Sequence, residues 1–177
     1  MASPSILGMS TTNGRMAKKI ILETQLEVFE TLSALPEAIQ NLMNKAQQAR
    51  KNAYAPYSHF GVGAAIILEN NKIVTGNNQE NAAFPSGLCA ERVAAFAAGA
   101  QFPNLSWKAI AISAGAINKD NTQPIPPCGA CRQSLAEYEV KQHVPIEVYF
   151  MGTSGNVVKA PSVQSLLPLL FDQSYLQ

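Results

Sequence analysis

Apolar and polar residues alternate along this chain with two different periods. Ile20, Leu22, Thr24, Leu26 and Val28 fall on every second position, which predicts an extended strand. From Pro36 the period lengthens. Ile39, Leu42, Met43, Ala46 and Ala49 recur at helical spacing, and Pro36-Glu37 suits a first turn, so a helix is predicted through Arg50. A loop, NAYAPYSHF, follows. Two β-rich runs, 63–68 and 72–77, flank the turn residues Asn70-Asn71 and predict a hairpin. The Ala-rich stretch CAERVAAFAAGA, residues 89–100, is helical by propensity. Residues 107–113 predict a buried strand, INKDNTQPIPP a loop, 129–138 a helix, 146–150 a strand, 156–159 a further strand and 163–167 a closing helix.

This order implies an α/β fold with one mixed sheet of about five strands and helices packed on its faces. No repeat or low-complexity linker divides the 177 residues, so a single domain is expected over 17–177, with its core at about 35–171. Residues 1–16 read as a disordered tail, or as residues added ahead of a natural start at Met16. They lack the charged and then apolar regions of a secretory leader.

The hydrophobic fraction of 47% with 14% charged residues is that of a chain that buries a core. Thirteen Lys and Arg against twelve Asp and Glu leave almost no net charge, and no basic run offers a footprint for a nucleic-acid polymer. No apolar run reaches the length of a membrane span. These features, with the cysteine usage, lead us to expect a cytoplasmic protein.

The chain has three cysteines, Cys89, Cys128 and Cys131. An odd number cannot pair fully, and Cys-x-x-Cys without a secretory leader favours metal or redox chemistry in a reducing compartment. Cys128 and Cys131, at i and i+3 in a first helical turn, share one face and can reach a single ion. Cys89 opens the other Ala-rich helix. Helix N-termini favour the thiolate that ligation requires. Structural zinc sites usually close with four ligands, whereas catalytic sites leave one position to water. Only His59 and His143 could supply a fourth side chain, and neither has motif spacing to the cysteines.

Glu91, two residues after Cys89, is placed beside such an ion without needing to bind it. Read alone, it is a helix N-terminal charge that favours the dipole. Beside three zinc-competent sulfurs it suits a proton shuttle between water and a leaving group. Arg92 is suited to hydrogen-bond a sulfur and withdraw charge from a centre with three thiolates, and Arg132 offers the same. Either is otherwise an ordinary helix arginine.

Three cysteines, a non-ligand Glu and Pro-Cys-x-x-Cys form a recognised signature of the zinc nucleobase deaminases. NNQENAAFPSGLCAERVAAF together with PPCGACRQSLAEYE resembles the small homo-oligomeric cytidine deaminases, and the resemblance runs from about Ala53 to Phe171. It implies hydrolytic deamination of cytidine and deoxycytidine to uridine and deoxyuridine with release of ammonia, as in pyrimidine salvage. It implies one Zn²⁺ per chain on Cys89, Cys128 and Cys131. Glu91 would protonate ring N3 and then the departing amine, and the backbone around Ala90 would accept from that amine. Asn78 and Glu80 match a sugar-reading Asn-x-Glu-Asn motif, and Phe60 matches an aromatic packed on the base. Phe171 matches a residue that reaches a neighbouring subunit, so a homotetramer is expected. The family more often has Gly-Ala at Leu169-Leu170, and the FPSGL segment before Cys89 also departs from its usual pattern. Pro85 and Gly87 there are expected to reshape the pocket wall.

Three other readings compete. Deaminases of cytosine-bearing antibiotics such as blasticidin S share the cysteine motifs, but Asn78-x-Glu80 points to a nucleoside sugar. Polynucleotide deaminases typically have His where Cys89 stands and need basic, aromatic channels. A non-catalytic zinc-stabilised module would leave Glu91 without a task.

Overall fold

A computed structural model describes residues 5–12 and 15–176. Its main sheet has six strands in the order β3-β8-β7-β6-β4-β5: β3 (Glu27–Phe29), β4 (Phe60–Leu68), β5 (Ile73–Asn77), β6 (Trp107–Ala116), β7 (Glu147–Met151) and β8 (Val157–Ala160). The β6–β7 pair is parallel and all the others are antiparallel. Two parallel neighbours need a crossover, and α3 (Gly129–Gln142) supplies it. The mixed sheet is as the sequence implies, with six strands rather than about five.

The sheet lies between two helical layers, and alternation along its central strands assigns the faces. Ala64, Ile66 and Leu68 of β4, with Ile110 and Ile112 of β6, pack with Ala94 and Ala98 of α2 (Ala90–Gln101) and Leu135 and Ala136 of α3. Ala65 and Ile67, with Ala109 and Ala111, pack on the other face against Leu42, Met43 and Ala46 of α1 (Glu37–Arg50). Both faces of β4 and β6 are thus covered, which is why these strands read as nearly continuous apolar runs. Small residues let the helices approach closely. A methyl group on Gly76 of β5 would lie 2.6 Å from the Ala90 carbonyl oxygen, so only glycine lets the start of α2 sit this near the sheet.

The structure departs from the sequence reading at the ends of the chain. The single strand expected from Ile20 to Val28 is broken: β2 (Arg15–Ile21) ends before it, residues 22–26 are irregular, and β3 has three residues. Thr24 Oγ1 donates to the Ser165 carbonyl at 2.7 Å, which fixes the irregular piece. Of residues 1–16, expected as a tail, 1–4, 13 and 14 lie outside the described residues. The described ones belong to β1 (Ser5–Thr12) and β2, which pair antiparallel. Asn13-Gly14, the strongest short-range hairpin signal a sequence offers, foreshadows that pairing. The closing helix expected over 163–167 is one 3-10 turn, Gln164–Leu166, because Pro168 disfavours helical backbone at Leu167.

Candidate active site

Two helix N-termini converge to form one end of a cavity of about 720 Å³. Cys89 is the N-cap of α2 and Cys128 the N-cap of α3, while Cys131 stands in the first turn of α3. Neither N-cap side chain bonds a backbone amide, so both sulfurs are turned to one another rather than to their helices. The three sulfurs lie within 4.8 Å of one another, with Cys128 and Cys131 3.5 Å apart. An ion held tetrahedrally by sulfurs at about 2.3 Å needs them about 3.8 Å apart, so this set fits a zinc ion. Among the described residues, the group contains no histidine. His59 and His143 are accounted for otherwise. Both have positive φ, His59 (53°) closing a turn onto the Ala55 carbonyl and His143 (56°) capping the C-terminus of α3.

Charge at this end is unevenly held. A hydrogen bond from Cys131 and a second from Arg92 bring the Cys89 thiol down to about 5. The same pairing, together with burial, pushes the Cys131 thiol up. Arg92 Nη2 donates to Cys89 Sγ at 3.5 Å. Arg92 Nε is buried and, among the described residues, the one buried side-chain nitrogen or oxygen without a hydrogen-bond partner. Glu91 is only 4% exposed, and burial raises its carboxyl pKa, with the charge on Cys89 adding to the effect. A carboxyl group so placed holds its proton more readily than an exposed one, which suits it to pass a proton between neighbouring groups.

Arg132 has a different place from either of its sequence readings. Its Nε donates to the Pro127 carbonyl at 2.8 Å and its Nη1 to the Leu166 carbonyl at 3.1 Å. It ties the loop before Cys128 to the C-terminal turn and does not reach a sulfur. Glu139 carries no motif that marks it in the sequence. It is buried and accepts from the amides of Ile146, Val163 and Gln164 at 2.7–2.9 Å, which anchors the same C-terminal segment under α3.

The opposite end of the cavity is built by the 54–62 segment and by residues 78–88. Phe60, Asn78 and Glu80 line it. The Glu80 carboxylate accepts from the amides of Tyr57 (2.9 Å) and Ser58 (3.2 Å). The Ser58 hydroxyl and these amides hold its carboxyl below the usual carboxylate range. Phe84 and Tyr57 meet edge to face at 5.8 Å at the mouth, with Phe84 73% exposed. Within the FPSGL segment, Phe84, Gly87 and Leu88 form part of the wall.

Two of the expected substrate residues stand apart from this lining. Ala90 is fully buried, and its carbonyl lies against Gly76. Phe171 is 57% exposed, stacked on Tyr175 at 5.6 Å, and Gln133 Nε2 donates to its carbonyl.

Comparison with known proteins places the chain. A family model described as the cytidine and deoxycytidylate deaminase zinc-binding region matches residues 36–147. A cytidine deaminase of Halalkalibacterium halodurans is 39% identical over 132 residues, 75% of this chain and 92% of that protein. One from Sporosarcina psychrophila is 38% identical over 138 residues, 78% of this chain and 94% of its own. The crystal structure of cytidine deaminase from Burkholderia pseudomallei superposes with a TM-score of 0.64 at 38% identity, covering 74% of this chain and 97% of that one. With the family model matched over 36–147 and relatives at 38–39% identity over most of their length, the chain belongs to the cytidine deaminase family.

Proposed function

We propose that this protein catalyses hydrolytic deamination of cytidine and 2′-deoxycytidine, giving the uridine nucleosides and ammonia, as a step of pyrimidine salvage. One observation carries the proposal: three mutually close sulfurs and a buried glutamate share one end of a cavity whose other end offers a carboxylate and an amide. Cys89, Cys128 and Cys131 would hold one zinc ion per chain. That ion supplies the acidity that lets water act as a nucleophile near neutral pH.

The protein's own groups do the rest. Glu91, its pKa raised by burial, takes a proton from the incoming water and delivers it to ring N3. It then takes the second proton from the hydroxyl added at C4 and delivers it to the exocyclic amine, which leaves as ammonia as the C4–N bond breaks and the C4 carbonyl forms. Arg92 draws charge from the Cys89 sulfur and so limits how far three thiolates oppose loss of that proton. Phe60 supports the base. Glu80 and Asn78 face the sugar, and a carboxylate there accepts from hydroxyls but repels a phosphate. The exposed Phe171 is suited to reach the cavity of a second copy, in keeping with a homotetramer. Three free thiols suit the reducing cytoplasm. No helix among the described residues is long and apolar enough to cross a membrane.

The test is the loss of cytidine's ultraviolet absorbance with stoichiometric ammonia release by purified protein, alongside zinc counted per chain. Turnover with close to one zinc per chain supports the proposal. An inert, zinc-loaded protein contradicts it. Parallel assays with blasticidin S separate a nucleoside deaminase from an antibiotic deaminase.

A further inference from the structure

The turn that joins β7 to β8 grips the loop that leads to Cys128. The sheet sets the turn. Ser113 of β6 is fully buried, and its hydroxyl donates to the Gly152 carbonyl at 2.9 Å. The next residue, Thr153, then takes hold of Asn121 by its backbone. Thr153 N donates to the Asn121 carbonyl at 2.7 Å, while Thr153 Oγ1 accepts from Asn121 N at 2.9 Å and donates to the same carbonyl at 3.1 Å. A hydroxyl both donates and accepts, so one side chain meets both backbone groups of Asn121. The approach is close: a methyl group on Gly152 would strike the Asn121 carbonyl oxygen.

Asn121 passes the constraint along the loop. Its Nδ2 donates to the Gln123 carbonyl at 3.0 Å, and its Oδ1 accepts from Gln123 N at 3.2 Å. Beyond Gln123 the sequence is Pro124-Ile125-Pro126-Pro127. Three of these four residues lack an amide N–H, which leaves little for backbone hydrogen bonds to hold. Proline supplies stiffness instead: its φ is locked, and each residue before a proline is driven to extended backbone. A strut of this kind is placed by its ends. The far end is fixed by Arg132 Nε, which donates to the Pro127 carbonyl at 2.8 Å. The near end is fixed by Thr153 through Asn121. Between them, Ile125 and Pro126 line the cavity.

We propose that Thr153 is a positioning residue, which acts through Asn121 to set where the Ile125–Pro126 wall stands in the cavity. The effect falls on binding rather than on chemistry, because Arg132 separately holds the end of the strut next to Cys128. Only the identity of the molecule that meets this wall rests on the nucleoside-deaminase reading; the clasp is independent of it.

Thr153→Val keeps the shape of the side chain and removes the hydroxyl. With two hydrogen bonds lost, KM for cytidine should rise roughly three- to thirtyfold, while kcat and zinc per chain stay at wild-type values. Thr153→Ser, which keeps the hydroxyl, should remain within about twofold of the wild-type KM. Amide hydrogen exchange across residues 121–125 should quicken in Thr153→Val, with α3 as protected as before. An unchanged KM, or unchanged exchange across 121–125, would overturn the proposal. So would a fall in zinc content or in kcat as large as the rise in KM, since that marks general loosening rather than a displaced wall. Should Thr153→Val fail to fold, Asn121→Ala decides, because it keeps the clasp and cuts the link to Gln123. A raised KM in that variant supports the proposal and an unchanged one overturns it. A wild-type protein inert on cytidine would refute the deaminase reading, and exchange across 121–125 would then judge the clasp on its own.

Discussion

The two ends of the cavity are built on different principles. At the metal end, function lies in side-chain type: sulfur at three positions, carboxyl at a fourth, guanidinium at a fifth, all set by the starts of α2 and α3. At the sugar end, side chains of ordinary type spend much of their hydrogen-bonding capacity on neighbouring backbone. Glu80 holds Tyr57 and Ser58, while Asn78 holds Phe60 and Val62. The first end is defined by the starts of two helices. The second is defined by residues whose side chains also staple their own loop.

The comparison can be broken at several points, beginning with the largest effect. Cys131→Ala removes the fully buried sulfur, and we expect zinc content and deaminase activity to fall to background together, read by metal analysis and absorbance assay. Gly76→Ala sets a methyl 2.6 Å from the Ala90 carbonyl and must push α2 off the sheet. Overpacking of this kind costs on the order of 1–3 kcal/mol, so thermal or urea unfolding should show the loss, with zinc affinity falling because Cys89 moves with the helix. Arg92→Ala should keep zinc but reduce kcat roughly ten- to a hundredfold, as loss of groups supporting metal ligands typically does.

The mildest effect concerns pH at the sugar end. Glu80's carboxyl pKa is lowered in the folded protein, so the ionised form is favoured and its contribution is lost only as pH falls through that lowered value. KM for cytidine should therefore stay flat through the usual carboxylate range on acidification and rise below it. In Ser58→Ala, which removes the hydroxyl that lowers the pKa most, the rise should begin at higher pH.

The same contrast explains what could be read from the sequence. The three cysteines that the structure brings together, and Glu91 beside them, stand out in the sequence because their chemistry is intrinsic to residue type and Cys128 and Cys131 share one helical turn. The helical period likewise placed α1, alanine-rich propensity placed α2, and β-rich or continuous apolar runs placed β4 and β6, all close to where they lie. Arg132 and Glu139 were not assignable, since their partners are backbone groups of Pro127, Leu166, Ile146, Val163 and Gln164, and nothing local in the sequence marks those contacts. The hydrogen bonds of the Asn78 side chain to Val62 and Phe60 are hidden for the same reason: they accompany the turn of the chain after β5 toward Tyr54, a long-range event. The three-residue β3 is the end of the alternating run from Ile20 to Val28; that run overstates its length, because what sets it is pairing with the distant β8 over only three residues.

The central claim is that Glu91 moves protons beside an ion it does not hold. Glu91→Gln keeps the shape and burial of the side chain and removes only its ability to carry a proton. Measured side by side with the wild type, that variant should bind zinc in the same ratio per chain while kcat for cytidine falls by roughly 10²–10⁴. Equal turnover by the two zinc-loaded proteins would contradict the account.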